Sequence, residues 1–273
     1  MKTGCFLSVL IITSSSIVNA GEWTVEVGAF GAETDSWIST DGLLGDEIKL
    51  DFEDSLNLEE QQLLPYLRVD YKFKERHHAY VNWIRLHRNA ETKSTLGFIV
   101  PNNPDSGVLV GAKIGTRLDV DILQVGYAYS FYQSERAELG LSAGLHVMFV
   151  ELGFSGEIAG CINESGEITC NAASTDGEIV NNDVSLPLPD LGLWGSYQLS
   201  DDFFILAHPQ LFYIDIDQFE GYLADFNAKL RYSINSSWHV DLGYNYYVIE
   251  AEVGERKLRY TYQGPKLNVA YRF

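Results

Sequence analysis

Residues 257–273 constrain the fold most strongly, because apolar side chains alternate there with polar or small ones up to the last residue. A period of two is that of a β-strand, whose successive side chains point to opposite faces of the sheet. A strand of this kind needs an apolar medium on one side and a polar interior on the other. The apolar face carries Leu267, Val269, Tyr271 and Phe273.

The same alternation recurs along the rest of the chain, in segments joined in turn by short polar turns and by long polar loops. The short turns are 74–77, 134–136, 200–202 and 235–237, and this asymmetry between turns and loops is typical of membrane barrels. The predicted fold class is all-β: a transmembrane, antiparallel, up-and-down β-barrel of about ten strands with long acidic external loops. Residues 47–52 also alternate and extend a hairpin, so eight or twelve strands are alternatives.

Aromatic side chains gather near the turn ends of the predicted strands, where a soluble β-sandwich would bury them instead. They are Trp23, Phe73, Phe131, Tyr197, Phe203, Tyr232, Trp238 and Phe273. With this girdle and its aromatic terminal strand, the chain resembles bacterial outer-membrane β-barrel proteins. The resemblance implies the Gram-negative outer membrane as location, with lipid and lipopolysaccharide as partners. It also implies insertion by the barrel assembly machinery, with Tyr271 and Phe273 as the assembly signal; it implies no activity.

The first twenty residues have the pattern of a secretory signal peptide. Lys2 precedes an apolar run over 5–12, and small or short residues lead to Ala20. We therefore expect two segments, a signal peptide over 1–20 and a single barrel domain over 21–273, with a monomer favoured. The remaining residues contain no apolar run long enough for a spanning helix.

Two cysteines, Cys161 and Cys170, enclose a polar stretch that contains glycine. Because an exported chain enters an oxidising compartment, we expect a disulfide that closes the third external loop. A metal-binding pair and two free thiols are the alternatives.

The chain is strongly acidic, with 19 Lys and Arg against 38 Asp and Glu, which argues against nucleic acid as a partner. Most of the excess lies in 33–60 and 151–183. The densest set is a candidate for weak binding of Ca²⁺ or Mg²⁺, which prefer oxygen ligands; no other cofactor is expected. The alternative is a solvated acidic surface. The set comprises Asp46, Glu47, Asp51, Glu53 and Asp54.

Charged residues of both signs are predicted on the inner face, where they would pair and leave no wide pore. In 78–89 either face exposes something polar, and Arg85, His87 and Asn89 are placed inward because a lipid-facing Arg costs about 2–4 kcal/mol at mid-depth. Pro209, which cannot donate to a neighbouring strand, predicts a β-bulge. The predicted polar network of the lumen is Arg68, Asp70, Arg85, Asp225, Lys229, Arg231 and Asp241.

One motif resembles a catalytic signature, the G-x-S-x-G at residues 140–144. It lies within a strand, whereas the hydrolase motif needs a sharp strand-to-helix turn. Its glycines therefore more simply make room for Trp194. Ser142 nevertheless lies at a similar height to His208, with Asp241 as a third polar candidate. His87 and His146 are likewise either hydrogen-bonded lumen residues or ligands of a shared metal.

These observations favour a non-enzymatic, porin-like barrel protein without catalytic residues, whose acidic external loops interact with ions or another surface. A narrow channel is the alternative. A hydrolase around Ser142 is a third hypothesis.

Overall fold

The computed structural model describes residues 21–101, 103–164, 167–171, 179–216, 219–253 and 256–273. The predicted signal peptide lies outside these ranges. Among the described residues, no helix has the length and hydropathy that crossing a membrane requires. In chain order the strands are β1 (Glu22–Asp41), β2 (Glu47–Asp51), β3 (Gln61–Lys74), β4 (His77–Lys93), β5 (Phe98–Ile99), β6 (Ser106–Val108), β7 (Lys113–Gln133), β8 (Ala137–Gly156), β9 (Ala159–Glu164), β10 (Glu167–Cys170), β11 (Ile179–Gln198), β12 (Phe203–Ile216), β13 (Phe219–Ser233), β14 (Trp238–Val253) and β15 (Arg256–Arg272).

Ten long strands form a closed antiparallel barrel in which each strand pairs with its neighbours in the chain. Their order is β1, β3, β4, β7, β8 and β11 to β15, and pairing of β15 with β1 closes the ring. Four short connections mark one end of the barrel, the turn end, and the long connections mark the other, the loop end. The prediction of an up-and-down barrel of ten strands is confirmed. The hairpin extension at 47–52 is also present, since β2 pairs with β1 beyond the end of β3.

The outer face carries an apolar band that starts at the turn end and includes exposed leucines such as Leu191 (70% exposed) and Leu242 (60% exposed). The aromatic side chains of the predicted girdle are all exposed on this face. An apolar belt of this extent around a closed barrel indicates an apolar medium around it. Above the band the outward side chains become charged, as at Glu33, so the barrel wall continues beyond the apolar layer.

The inner face changes character between the two ends. Near the turn end it is polar and charged, while the upper half is filled by a buried apolar cluster to which nine of the ten barrel strands contribute. One representative from each of these strands, in strand order, is Phe30, Leu64, Leu86, Ile122, Met148, Leu188, Leu223, Tyr247 and Tyr262, and the partly buried Phe212 of β12 packs against the cluster. A polar lumen throughout was expected, and in the upper half this expectation is wrong.

Three loops fold over the loop end and form what we call the lid, the described residues of 42–60, 94–112 and 157–171. Strands β5 and β6 of the second loop and β9 and β10 of the third form a four-stranded sheet. The first loop is attached to the second by a bridge between Gly42 and Phe98, and Thr40 Oγ1 donates to the carbonyl of Ile99 at 2.8 Å. Lid residues such as Leu56 are fully buried in the same apolar cluster.

The facing of β4 is the reverse of that predicted. Arg85 and Asn89 are exposed on the outer face, whereas Ile84 and Leu86 are buried inside. The prediction assumed that an outward Arg85 would meet lipid at mid-depth. In the barrel Arg85 lies opposite Asp121 of β7, above the apolar band, so an outward guanidinium meets charged neighbours there.

Pro209 does not produce the predicted bulge. Its strand β12 keeps one register with β13 along its whole length, with Pro209 opposite Phe226. On the other side, pairing with β11 stops at Gly192 and resumes at Gly195 without a shift. The missing donor therefore removes local pairing without inserting an extra residue.

Candidate functional site

Four charged side chains from three strands form a buried network in the lumen near the turn end. Arg231 of β13 donates to Glu26 Oε1 at 2.7 Å and makes two hydrogen bonds of 2.7 Å to the carboxylate of Asp241. Lys229 forms ion pairs with the same two acids. The network contains two bases and two acids, so each buried charge has a partner of opposite sign. A buried charge without such a partner would be strongly destabilising.

A second pair extends this network along β3. Arg68 makes a bidentate hydrogen bond to Asp70, with Nη2 to Oδ1 at 2.7 Å and Nε to Oδ2 at 2.9 Å. Its guanidinium lies over the ring of Tyr80, 4.8 Å from the centroid, which adds a cation–π contact. Both residues point into the lumen, and the geometry holds Arg68 in one orientation.

Asp225 lies one layer closer to the loop end. It accepts a hydrogen bond of 2.7 Å from Asn245, whose side-chain oxygen accepts one of 3.0 Å from Lys266. The ammonium of Lys266 lies 4.5 Å from the ring centroid of Tyr66. This layer forms the boundary between the charged and the apolar halves of the lumen.

A further network of neutral amides crosses the lumen beside it. Gln210 donates to Asp190 Oδ1 at 2.6 Å and to the hydroxyl of Tyr80 at 3.1 Å, and Gln124 is hydrogen-bonded to His146 at 3.0 Å. Sequence reasoning did not single out Gln124, Gln210 or Tyr80. The signal that marks them is their inward parity in the strand alternation.

Arg85, by contrast, belongs to none of these networks. On the outer face its guanidinium contacts the ring of His87, which lies 2.8 Å from Asp121. Since His87 faces outward and His146 inward, the wall of the barrel separates them. The hypothesis that they share a metal is therefore wrong.

Ser142 and His208 do meet inside the lumen, with Oγ and Nε2 2.9 Å apart. Asp241 is not the third member of this group, because Arg231 and Lys229 bind its carboxylate. The neighbouring Gly140 leaves space for Trp194, since a Cβ at that glycine would overlap the indole nitrogen. The geometry thus supports the packing interpretation of the motif and also places a serine beside an imidazole.

A cavity of about 220 Å³ lies among these groups at the turn end. Arg68, Lys229 and Arg231 line one part of it, and Trp194 and His208 line another. The indole nitrogen of Trp194 has no hydrogen-bond partner within the described part of the chain. Tyr66, a member of the apolar cluster, also lines the cavity.

Arg88 connects the barrel to the lid. It lies on the inner face of β4 and is 1% exposed. Its guanidinium forms an ion pair with Glu53 of the first loop and donates to Ser36 Oγ at 2.8 Å, and Ser36 N donates to Glu53 Oε2 at 2.8 Å. This contact, which joins residues far apart in the chain, holds the first loop in the barrel mouth.

The acidic set proposed for divalent cations is spread over this loop. Asp46 and Glu47 are exposed, Glu53 is turned toward Arg88, and Asp51 accepts hydrogen bonds from Lys49 and from the backbone of Asp54. Among the described residues, no group of three or more Asp, Glu, His or Cys side chains is placed to hold a metal ion.

The disulfide prediction is confirmed. Cys161 and Cys170 are bonded across the β9–β10 hairpin of the third loop. Their sulfurs pack on the backbone of the second loop, where a Cβ at Gly107 would overlap Cys161 Sγ. The bond therefore lies in the lid and outside the barrel sheet.

The two ends of the barrel sheet meet at Trp23 and Phe273, whose backbones exchange two hydrogen bonds of 3.0 Å. The ring of Phe273 is 63% exposed on the outer face and lies 5.4 Å from that of Tyr271. The aromatic terminus predicted as an assembly signal is thus also the last rung of the closing seam.

No family model matches this sequence, and neither does any curated protein sequence. Solved structures do match. The outer membrane protease OmpT of Escherichia coli aligns over 95% of this chain and 99% of its own, with 10% identity and a TM-score of 0.53. The attachment invasion locus protein Ail of Yersinia pestis aligns over 93% of this chain and 99% of its own, with 13% identity and a TM-score of 0.35. At these identities the likeness concerns the fold alone: this chain has a closed β-barrel fold like that of the outer membrane protease.

Proposed function

We propose that this chain is a Gram-negative outer-membrane protein, exported by its signal peptide, that conducts no solutes and acts through the surface of its lid. One observation carries this proposal: a buried apolar cluster, to which nine of the ten barrel strands and the lid contribute and against which Phe212 of β12 packs, fills the upper lumen. Ions do not cross a packed apolar interior, because they would lose their hydration there. Function then belongs to the surfaces outside the lumen.

The exposed side of the lid has features of a binding surface. Leu44 is 93% exposed and Val110 is 70% exposed. Leu43 and Val110 both lie against Gly97, so the tips of the first and second loops are adjacent. An apolar tip in an acidic surrounding is the pattern of an interaction site with a polar rim. The Arg88–Glu53 ion pair and the four-stranded sheet hold this surface in place before any partner binds.

Conductance measurements test the closed lumen. Refolded protein in planar bilayers should show no stable conductance steps, while an open porin in the same bilayers serves as positive control. Stable, ion-selective steps would overturn the proposal in favour of the narrow channel.

The binding surface is tested with intact cells. Cells that express the wild-type protein should adhere to a partner surface. Cells that express the double variant Leu44→Ser/Val110→Ser should adhere to the same surface less strongly. Glu47→Gln, an exposed change in the same loop outside the tip, is the control. Equal binding by the apolar-tip variant and the wild type would contradict a role for the tip.

A second candidate function is hydrolysis within the turn-end cavity, which the 2.9 Å contact between Ser142 and His208 favours. His208 lines the cavity, so a small ester that entered it would approach this pair. Turnover of such an ester should be lost in Ser142→Ala and kept in Ser130→Ala, which changes a hydroxyl hydrogen-bonded to Glu138 instead. Equal turnover in wild type and Ser142→Ala would eliminate this candidate.

A further inference from the structure

A second cavity, of about 190 Å³, lies at the rim of the barrel mouth, where the first loop meets β1 and β15. Its floor is formed by the outward faces of β1 and β15, where Glu33 pairs with Gln263 and Asp35 with Thr261 across the closing seam. Residues 51–60 of the first loop form its side. Because Glu33 lies beyond the apolar outer band, the cavity opens into water at the level of the lid.

Six carboxylates line this cavity: Glu33, Asp35, Asp51, Glu53, Asp54 and Glu60. Two of them have basic partners, Glu53 with Arg88 and Asp51 with Lys49. Within the described part of the chain, the other four have no salt-bridge partner. Four unpaired like charges around one cavity repel each other and favour a cation between them.

An uncharged side chain in the same cavity lacks a partner as well. Thr261 is only 9% exposed, and its hydroxyl finds no hydrogen-bond partner among the described residues. Buried hydroxyls in folded proteins are almost always hydrogen-bonded. A donor from a bound molecule would complete this site.

The arrangement suits an extended cation better than a metal ion. A hard metal ion draws several oxygens to about 2.0–2.6 Å, and the described residues contain no converging group of three such ligands. We propose that this cavity binds a flexible organic polycation with two or more ammonium or guanidinium groups. The inference rests on the proposed function, because it names a ligand class for the external surface.

Two sources share this chemistry, a free polyamine and the basic side chains of a peptide. Binding is measured by calorimetry on the full-length protein in detergent, with spermine and tetralysine as separate probes at physiological ionic strength. Tighter binding of spermine would identify the free polyamine, and tighter binding of tetralysine the peptide; either result supports the inference.

The variant Glu33→Gln/Asp35→Asn removes two unpaired carboxylates from the cavity, and Asp46→Asn/Glu47→Gln removes two from the same acidic region outside it. We expect the cavity variant to weaken binding by about tenfold or more, since charge-assisted hydrogen bonds are lost, and the control by less than about twofold. Thr261→Val keeps every charge and should weaken binding about threefold or more through its hydroxyl alone.

Equal weakening by the two double variants would reduce the attraction to diffuse charge and overturn the inference. We expect Mg²⁺ to compete with spermine no more strongly than Na⁺ does at matched ionic strength, because the cavity is not a metal site. Displacement of spermine by Mg²⁺ but not by Na⁺ would contradict the inference. Heat-modifiable mobility on gels verifies that each variant is folded. Failure of binding would leave the closed lumen and its conductance test untouched, while stable conductance would overturn the proposed function and not the cavity.

Discussion

Arg85 and Arg88 lie three residues apart on β4 and have opposite environments. Arg85 is exposed on the outer wall beside His87, whereas Arg88 is buried beneath the lid against Glu53. Removing the carboxylate partner of a buried guanidinium lowers the free energy of unfolding far more than removing the partner of an exposed one, because no water replaces the lost partner. Arg85 is therefore an exposed control, in the same strand, for the buried Arg88.

Replacement of Glu53 by Gln should lower the free energy of unfolding by about 3–5 kcal/mol, since it leaves the Arg88 charge buried without its partner. Arg85→Ala should change it by no more than about 0.5 kcal/mol. Urea titration of the refolded protein measures both. Equal losses would show that the Arg88–Glu53 contact has no special role in attaching the lid.

The strands β1 and β15 form the seam that closes the barrel, and their backbones approach closely. Gly264 has a positive φ of 151°, and a Cβ there would overlap the carbonyl oxygen of Gly31. The seam ends at the hydrogen bonds between Trp23 and Phe273.

Deletion of Phe273 should therefore impair assembly, because it removes both the last rung of the seam and an aromatic side chain on the lipid face. The measurement is heat-modifiable mobility of the protein in membranes. Phe203→Leu, a change to another exposed residue at the turn end, is the control. Undiminished heat-modifiable protein in the deletion would contradict the prediction.

The disulfide should hold the β9–β10 hairpin together without stabilising the barrel sheet. After removal of the predicted signal peptide, which contains Cys5, the native protein should contain no thiols that react with alkylating reagents. Reduction should speed proteolysis of the third loop and leave urea unfolding of the barrel nearly unchanged, because the bond lies outside the sheet. Two alkylatable thiols in native protein, or a marked loss of barrel stability on reduction, would refute this.

Periodicity was sufficient to predict the strands, their connections and most facings, as at Glu26 and Asp241. It was insufficient at β4, where Arg85 and Arg88 lie at opposite parity and the choice depended on depth in the membrane. The lid could not be predicted from periodicity either, because the contact of Arg88 with Glu53 joins residues 35 positions apart. The apolar upper lumen does have a signal in the sequence, because the inward positions of β1 change from Glu26 to Phe30.

As a whole, the molecule combines a lumen that is filled with apolar side chains in its upper half with a strongly acidic composition. Divalent cations that bridge exposed carboxylates outside the polycation cavity, such as Asp46 and Glu47, to lipopolysaccharide phosphates should stabilise the lid in a membrane that contains lipopolysaccharide. Protease protection of the lid should then rise with Ca²⁺ or Mg²⁺ and not with Na⁺ at matched ionic strength. Equal protection by both kinds of salt would show that general charge screening, and not binding of divalent cations, stabilises the lid.

A lid that shares its core with the lumen restricts how the protein can diverge. External loops of barrels ordinarily tolerate insertions and rapid sequence drift. Here Leu50, Leu56 and Phe98 lie in loops and yet are fully buried, so drift should be slow at such positions. Sequence change should be confined to exposed tips such as 44–46.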